Sequence, residues 1–159
     1  MFWGLDSTGW TAVGALAGWV YCGLTAGLLA FAIYQVRAVK EEARITRTLA
    51  ACDRYDTDPI LDRVTGRIAE ALDNGTLAKT PKDFSLDMKI LFNYFESIAI
   101  GVSRNLYDKD IVREQLNPIL VDHVNDLIES GISSGVSGWE NVRQEYDHTM
   151  KLYGEWLRK

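Results

Sequence analysis

From Ser7 to Val36 the chain runs 30 residues without a charged side chain, and then places Arg37, Lys40, Arg44 and Arg47 in quick succession. A helix rises about 1.5 Å per residue and the hydrocarbon core of a bilayer is about 30 Å thick, so about 20 apolar residues cross it. The sequence therefore predicts a transmembrane helix over residues 10–36. Val13, Leu16, Val20, Leu24, Leu28, Leu29, Phe31 and Ile33 each contribute about −0.3 to −0.6 kcal/mol to insertion, about −4 kcal/mol together, against Gly14, Gly18, Gly23, Gly27, Thr11 and Thr25. A hairpin of buried core helices is the alternative, but the uninterrupted length and the aromatic ends favour the membrane. Trp3 and Trp10 are placed at one interface and Tyr34 at the other.

Orientation follows from the cations flanking the span. The C-terminal flank carries Arg37, Lys40, Arg44, Arg47 and Arg54, whereas Met1 to Asp6 has no Lys or Arg. The amino end is expected outside and the carboxyl domain in the cytoplasm. A secretory signal needs a positive start and a shorter apolar segment, so the run reads as an uncleaved anchor. The expected layout is a short outer tail at 1–9, the transmembrane helix at 10–36, a juxtamembrane stalk helix at 37–56 and a cytoplasmic helical domain at 57–159.

Residues 37–159 hold all 17 Lys and Arg and 21 of the chain's 22 Asp and Glu, a balance that argues against nucleic-acid binding by the domain as a whole. Cys22 lies in the span and Cys52 beyond it, about 45 Å away along an unbroken helix, so they cannot pair, and a cytoplasmic Cys52 stays reduced.

The punctuation is helical throughout. With no glycine or proline from Val36 to Tyr55, the stalk is expected to run to Asp56-Thr57-Asp58-Pro59, where Asp58 caps the next helix and Pro59 opens it. Ile60, Leu61, Val64, Ile68 and Leu72 recur at helical spacing, and Asn74-Gly75 supplies a left-handed stop. Thr80-Pro81-Lys82-Asp83 predicts the start of a third helix extending to about Asn105, with Leu91, Phe95, Ile98, Val102 and Leu106 as its stripe and Leu86, Ile90 and Tyr94 widening it. Asp108 caps a further helix that Asn117-Pro118 restarts or kinks, Gly131 to Gly138 reads as a joint, and Ser137 with Glu140 forms a capping box for a last helix to about Leu157. The expected fold is all-α: a single N-terminal transmembrane helix continuing as a stalk into a four-to-five-helix cytoplasmic bundle.

The stretch Asn93-Tyr94-Phe95-Glu96-Ser97-Ile98-Ala99-Ile100-Gly101-Val102, followed by Tyr107-Asp108-Lys109-Asp110, resembles a widespread bacterial family of small membrane-anchored helical proteins known only as a domain of unknown function. The likeness also takes in the anchor and the Trp139 to Trp156 region. It implies this architecture in a bacterial inner membrane and supplies no catalytic residues.

Gly14 and Gly18 form one small-xxx-small pair and Gly23 and Gly27 another, on opposite sides of the helix, which suits contact with two neighbours or is simply the usual glycine content of membrane helices. Arg37, Lys40, Arg44 and Arg47 share one side of the stalk and are expected at the lipid surface. Arg143 and His148 are spaced similarly to the arginine and histidine of helical ribonucleases that dimerise across their terminal helices, a short pattern in which Gln144 departs from the usual residue. His123, Asp87 and Glu96 are expected in solvent. Trp139, Tyr146, Tyr153 and Trp156 are candidates for a core, an interface or ligand stacking, and are taken as partner-facing.

No phosphate-loop, dinucleotide or H-E-x-x-H motif is present, so no catalytic residue, cofactor or metal is assigned. The reading is a non-enzymatic bitopic protein, a scaffold or accessory subunit of a homo-oligomer or larger membrane complex. Its partners are membrane lipid and membrane-complex subunits, not nucleic acid. A membrane-tethered nuclease using Arg143 and His148, or an oligomeric pore, are the alternatives.

Overall fold

The computed structural model describes residues 7–136, 139 and 141–157, with side chains from residue 10 onward. Among the described residues every regular element is helical. The chain divides into two compact units, Met1–Ala43 and Arg44–Lys159.

The first helix, α1, spans Ser7–Thr57. Its residues from Trp10 to Glu42 are all exposed. One helix near the N-terminus is thus long and apolar enough to cross a membrane, with none of its most apolar window buried.

In the second unit the final turns of α1 are followed by α2 (Pro59–Asp73), α3 (Thr76–Lys79), a 3-10 turn (Pro81–Phe84), α4 (Ser85–Ser103), α5 (Lys109–Val124), a π-helical turn (Asn125–Glu129), a second 3-10 turn (Ile132–Gly135), α6 (Val142–Glu145) and α7 (Asp147–Leu157). The local signals act where expected. Asp58 accepts from Ile60 N and Pro59 opens α2, Gly75 takes a left-handed φ of 66° after its end, and Asp108 accepts from Asp110 N and Ile111 N at the start of α5. Such caps satisfy the amide protons that the first turn leaves without an intrahelical acceptor.

α4 is the centre of the bundle, packed on α2, α5 and α7. Leu91, Phe92, Phe95 and Met88 are fully buried, and Tyr94, Ile98 and Ala99 nearly so. Two ends of the expected stripe fall outside this core. The Thr80 hydroxyl donates back to Thr76 O at 3.3 Å instead of capping, the chain tightens into the 3-10 turn, and α4 begins only at Ser85 with Leu86 facing out. Leu106 lies past the helix end and is 52 % exposed. Asp87, expected in solvent, is buried with Arg67 Nη1 3.0 Å from Oδ2, because α2 brings Arg67 across it.

α5 continues through Pro118 rather than restarting there, and the irregularity comes later, in the π turn. The single last helix expected to Leu157 is broken. Its proposed Ser137 and Glu140 box lies outside the described residues, and α6 and α7 are separated at Tyr146, whose backbone (φ −110°, ψ 45°) leaves the helix while its ring packs 5.4 Å from Phe92 and 5.9 Å from Trp139.

Candidate functional site

The residues with chemistry in their side chains gather at two places in the second unit, and in both they join one helix to another. The first is the C-terminal stretch of α1. Arg44, Thr48, Ala51, Cys52 and Tyr55 recur at three- and four-residue steps and therefore share a face. Thr48 is fully buried: its Oγ1 donates to Arg44 O at 2.8 Å and accepts from Asp108 N at 2.8 Å. The Arg44 guanidinium donates to Asn105 Oδ1 at 2.9 Å and Asp108 Oδ2 at 2.8 Å. Asp108 thereby caps α5 with one carboxylate oxygen and holds α1 with the other. The Tyr94 hydroxyl lies 3.0 Å from Ala51 O and 3.2 Å from Cys52 O, and burial pushes its pKa up, so it keeps its proton and donates to these helix carbonyls.

One turn further on, Tyr55 OH lies 2.9 Å from His123 Nε2. Burial lowers the His123 pKa more than Asp126 and Asp122 raise it, and burial pushes Tyr55 up to about 12. Both groups are thus neutral, and a single proton joins them, carried by the phenol or by Nε2 according to the imidazole tautomer. Phe95 stacks on Tyr55 with ring centroids 6.3 Å apart and lies 5.9 Å from His123. His123 is thus an interior hydrogen-bond partner of Tyr55, not the solvated residue expected. The thiol of Cys52 is buried on the same face and pushed up to about 11, chiefly by desolvation.

The second place is the start of α7. Glu96 Oε2 accepts from Thr149 N at 2.9 Å and Thr149 Oγ1 at 2.7 Å, while Oε1 lies 2.8 Å from His148 Nδ1 and 3.3 Å from His148 N. The residue before α7 is a tyrosine, which cannot cap, and a carboxylate from α4 takes that place against the positive end of the helix. This corrects the solvent-exposed reading of Glu96. A cavity of about 210 Å³ beside it is lined by His148, Lys109, Lys151, Glu155 and an apolar floor that includes Ala99 and Leu152. Lys109 pairs with Glu155, and Lys151 with Asp147.

Arg143 and His148 are not brought into one constellation: Arg143 Nη2 pairs with Glu129 at 2.8 Å and His148 with Glu96. Trp139, Tyr146, Tyr153 and Trp156, taken as partner-facing, are all buried, because the step at Tyr146 turns them onto α4 and α5; the Tyr153 hydroxyl donates to Asn125 Oδ1 at 2.7 Å. Along α1, Trp10, Tyr34, Arg37, Lys40 and Arg47 are exposed, and a Cβ added at Gly14, Gly18, Gly23 or Gly27 meets nothing within 4 Å. Arg44 leaves the expected lipid-facing stripe for the bonds above. Trp3 lies outside the described residues. Among the described residues, no three His, Cys, Asp or Glu side chains are grouped to hold a metal ion.

The motif that carries the family resemblance coincides with the first of these places. Tyr94 and Asp108 bind α1, Phe95 stacks on Tyr55, and Gly101 makes room for Tyr107, whose ring lies 2.1 Å from where a Cβ on Gly101 would stand. No curated protein and no solved structure matches the chain. A family described as a domain of unknown function, DUF4760, matches residues 23–129, from within α1 to the end of the π turn. With two thirds of its length inside that match, the chain belongs to the DUF4760 family.

Proposed function

We propose that this is a membrane-anchored, non-enzymatic protein whose helical domain is held at the cytoplasmic face of a bacterial inner membrane, as a scaffold or accessory subunit of a homo-oligomer or larger complex. The carrying observation is that α1 leaves Trp10 to Glu42 exposed, with a mean hydropathy of 1.8 in its most apolar window, while its last turns are polar and built into the core. Bulk water is a poor solvent for the first stretch and a bilayer a good one. The side chains that could do chemistry support a structural role: Glu96 caps α7, His123 pairs with Tyr55, and Asp108 ties α1 to α5.

Alkaline extraction of membranes is expected to leave the protein in the pellet, and protease added from the cytoplasmic side is expected to cleave the domain. Release into the supernatant overturns the anchor, and protection from that side overturns the orientation. Replacing Gly14, Gly18, Gly23 and Gly27 by Ile is expected to lower the particle mass in mild detergent without changing extraction, because their surroundings are open within one chain. An unchanged mass removes helix pairing from the reading.

A further inference from the structure

We infer that the turn closing α4, Arg104 to Leu106, is a second lipid contact that seats the domain on the leaflet from which the anchor emerges. This rests on the membrane reading above. α4 stops at Ser103, Asn105 takes a left-handed φ of 56°, and the amides of Leu106 and Tyr107 both donate to Gly101 O, at 2.9 and 3.2 Å. A helix end of this form usually folds the residue after the left-handed one back onto the last turn. Here that turn offers Gly101, which has no side chain, and the space over it is taken by the Tyr107 ring. Leu106 is left outward and 52 % exposed, beside an exposed Arg104 that makes no ion pair among the described residues.

The turn is tied to Arg44, the first residue of the second unit, whose guanidinium holds both Asn105 and Asp108. Arg44 stands only eight positions beyond Val36, the end of the uncharged run. A link of that length keeps the turn within reach of the headgroup zone, about 5–8 Å deep. A leucine tip beside an arginine matches that layer, with the apolar chain at the acyl boundary and the cation among anionic phosphates.

The test uses the full chain in vesicles containing anionic lipid, with exposed Cys22 replaced by Ser and a polarity-sensitive fluorophore on Leu106→Cys. The comparison probe is Leu86→Cys, more exposed still but at the other end of α4, about 27 Å away. Lipid-borne nitroxides are expected to quench the probe at 106 severalfold more than that at 86. Arg104→Ala is expected to shift the seated-to-released ratio about fivefold, the equivalent of about 1 kcal/mol for one cation at an anionic surface. Quenching of Trp10 and Trp19 by the same nitroxides reports the anchor separately. If these tryptophans are quenched and 106 behaves like 86, the turn is no lipid contact, a protein partner for Leu106 becomes the better account, and the anchor stands. If the tryptophans are not quenched, both readings fall.

Discussion

The two ends of α1 obey the same backbone rules and reverse the usual relation between polarity and burial. Leu28 is 70 % exposed, whereas Thr48, twenty residues later, is fully buried. A leucine left open gives up about 25 cal/mol for each Å² that water must cover, and a buried hydroxyl is tolerable only when its hydrogen bonds are made. Thr48 makes both of its bonds, to Arg44 O and from Asp108 N. The apolar end must find its solvent elsewhere; the polar end has found its own. The comparison separates what this protein needs from its surroundings from what its own fold supplies.

The largest effect that sharpens this contrast comes from a matched pair of phenylalanines. Phe95 is fully buried beneath Tyr55, so Phe95→Ala is expected to cost about 3–5 kcal/mol of domain stability in denaturant titration. Phe31 is exposed on α1, so Phe31→Ala is expected to leave that titration unchanged and to weaken membrane retention alone. Equal effects on the denaturant midpoint would erase the distinction between the two ends.

Next in size is the loss of the hydroxyl at position 48. Thr48→Val keeps the shape but leaves the Asp108 amide without its acceptor, which is expected to cost about 1–3 kcal/mol. A neutral result would mean that Arg44 and Tyr94 hold α1 unaided. Glu96→Gln follows, at about 1–2 kcal/mol, since an amide cannot accept from Thr149 N, Thr149 Oγ1 and His148 together and carries no charge to face the helix end. Its signature is local: amide exchange in the first turn of α7 should quicken before that of α4.

What the sequence made legible divides along the same line. Asp58 with Pro59, Asn74 with Gly75, and Asp108 work within a few residues of themselves, so their roles could be read directly. The long apolar helix was equally plain, because it follows from length and composition alone. The joints were hidden: Arg44 meets Asp108 across 64 positions, Glu96 meets Thr149 across 53, and Tyr55 meets His123 across 68. No periodicity links such partners, and the surface reading natural for Glu96 and His123 failed because tertiary neighbours arrived to satisfy them. The aromatic helix misled for the converse reason: its spacing is that of a buried face, and the break at Tyr146 gave it the bundle's own core to cover.

The smallest predicted effect tests whether the buried end is sensitive to acid. His123 faces Tyr55 from α1 and Phe95 from α4, with Asp122 and Asp126 on its own helix segment and Asp56 near the Tyr55 phenol. Burial outweighs the carboxylates and puts its folded pKa below the ordinary 6.5. The unfolded chain therefore takes up the proton first, so the stabilising contribution is fully present above pH 6.5 and declines as pH falls toward the folded value. One proton limits the slope to about 1.4 kcal/mol per pH unit. His123→Gln can still hydrogen-bond with Tyr55 but does not titrate, so the difference in stability between the two proteins should narrow on acidification. A constant difference from neutral pH down through the histidine range would mean that Asp122 and Asp126 compensate the desolvation fully, and that the joint does not sense pH.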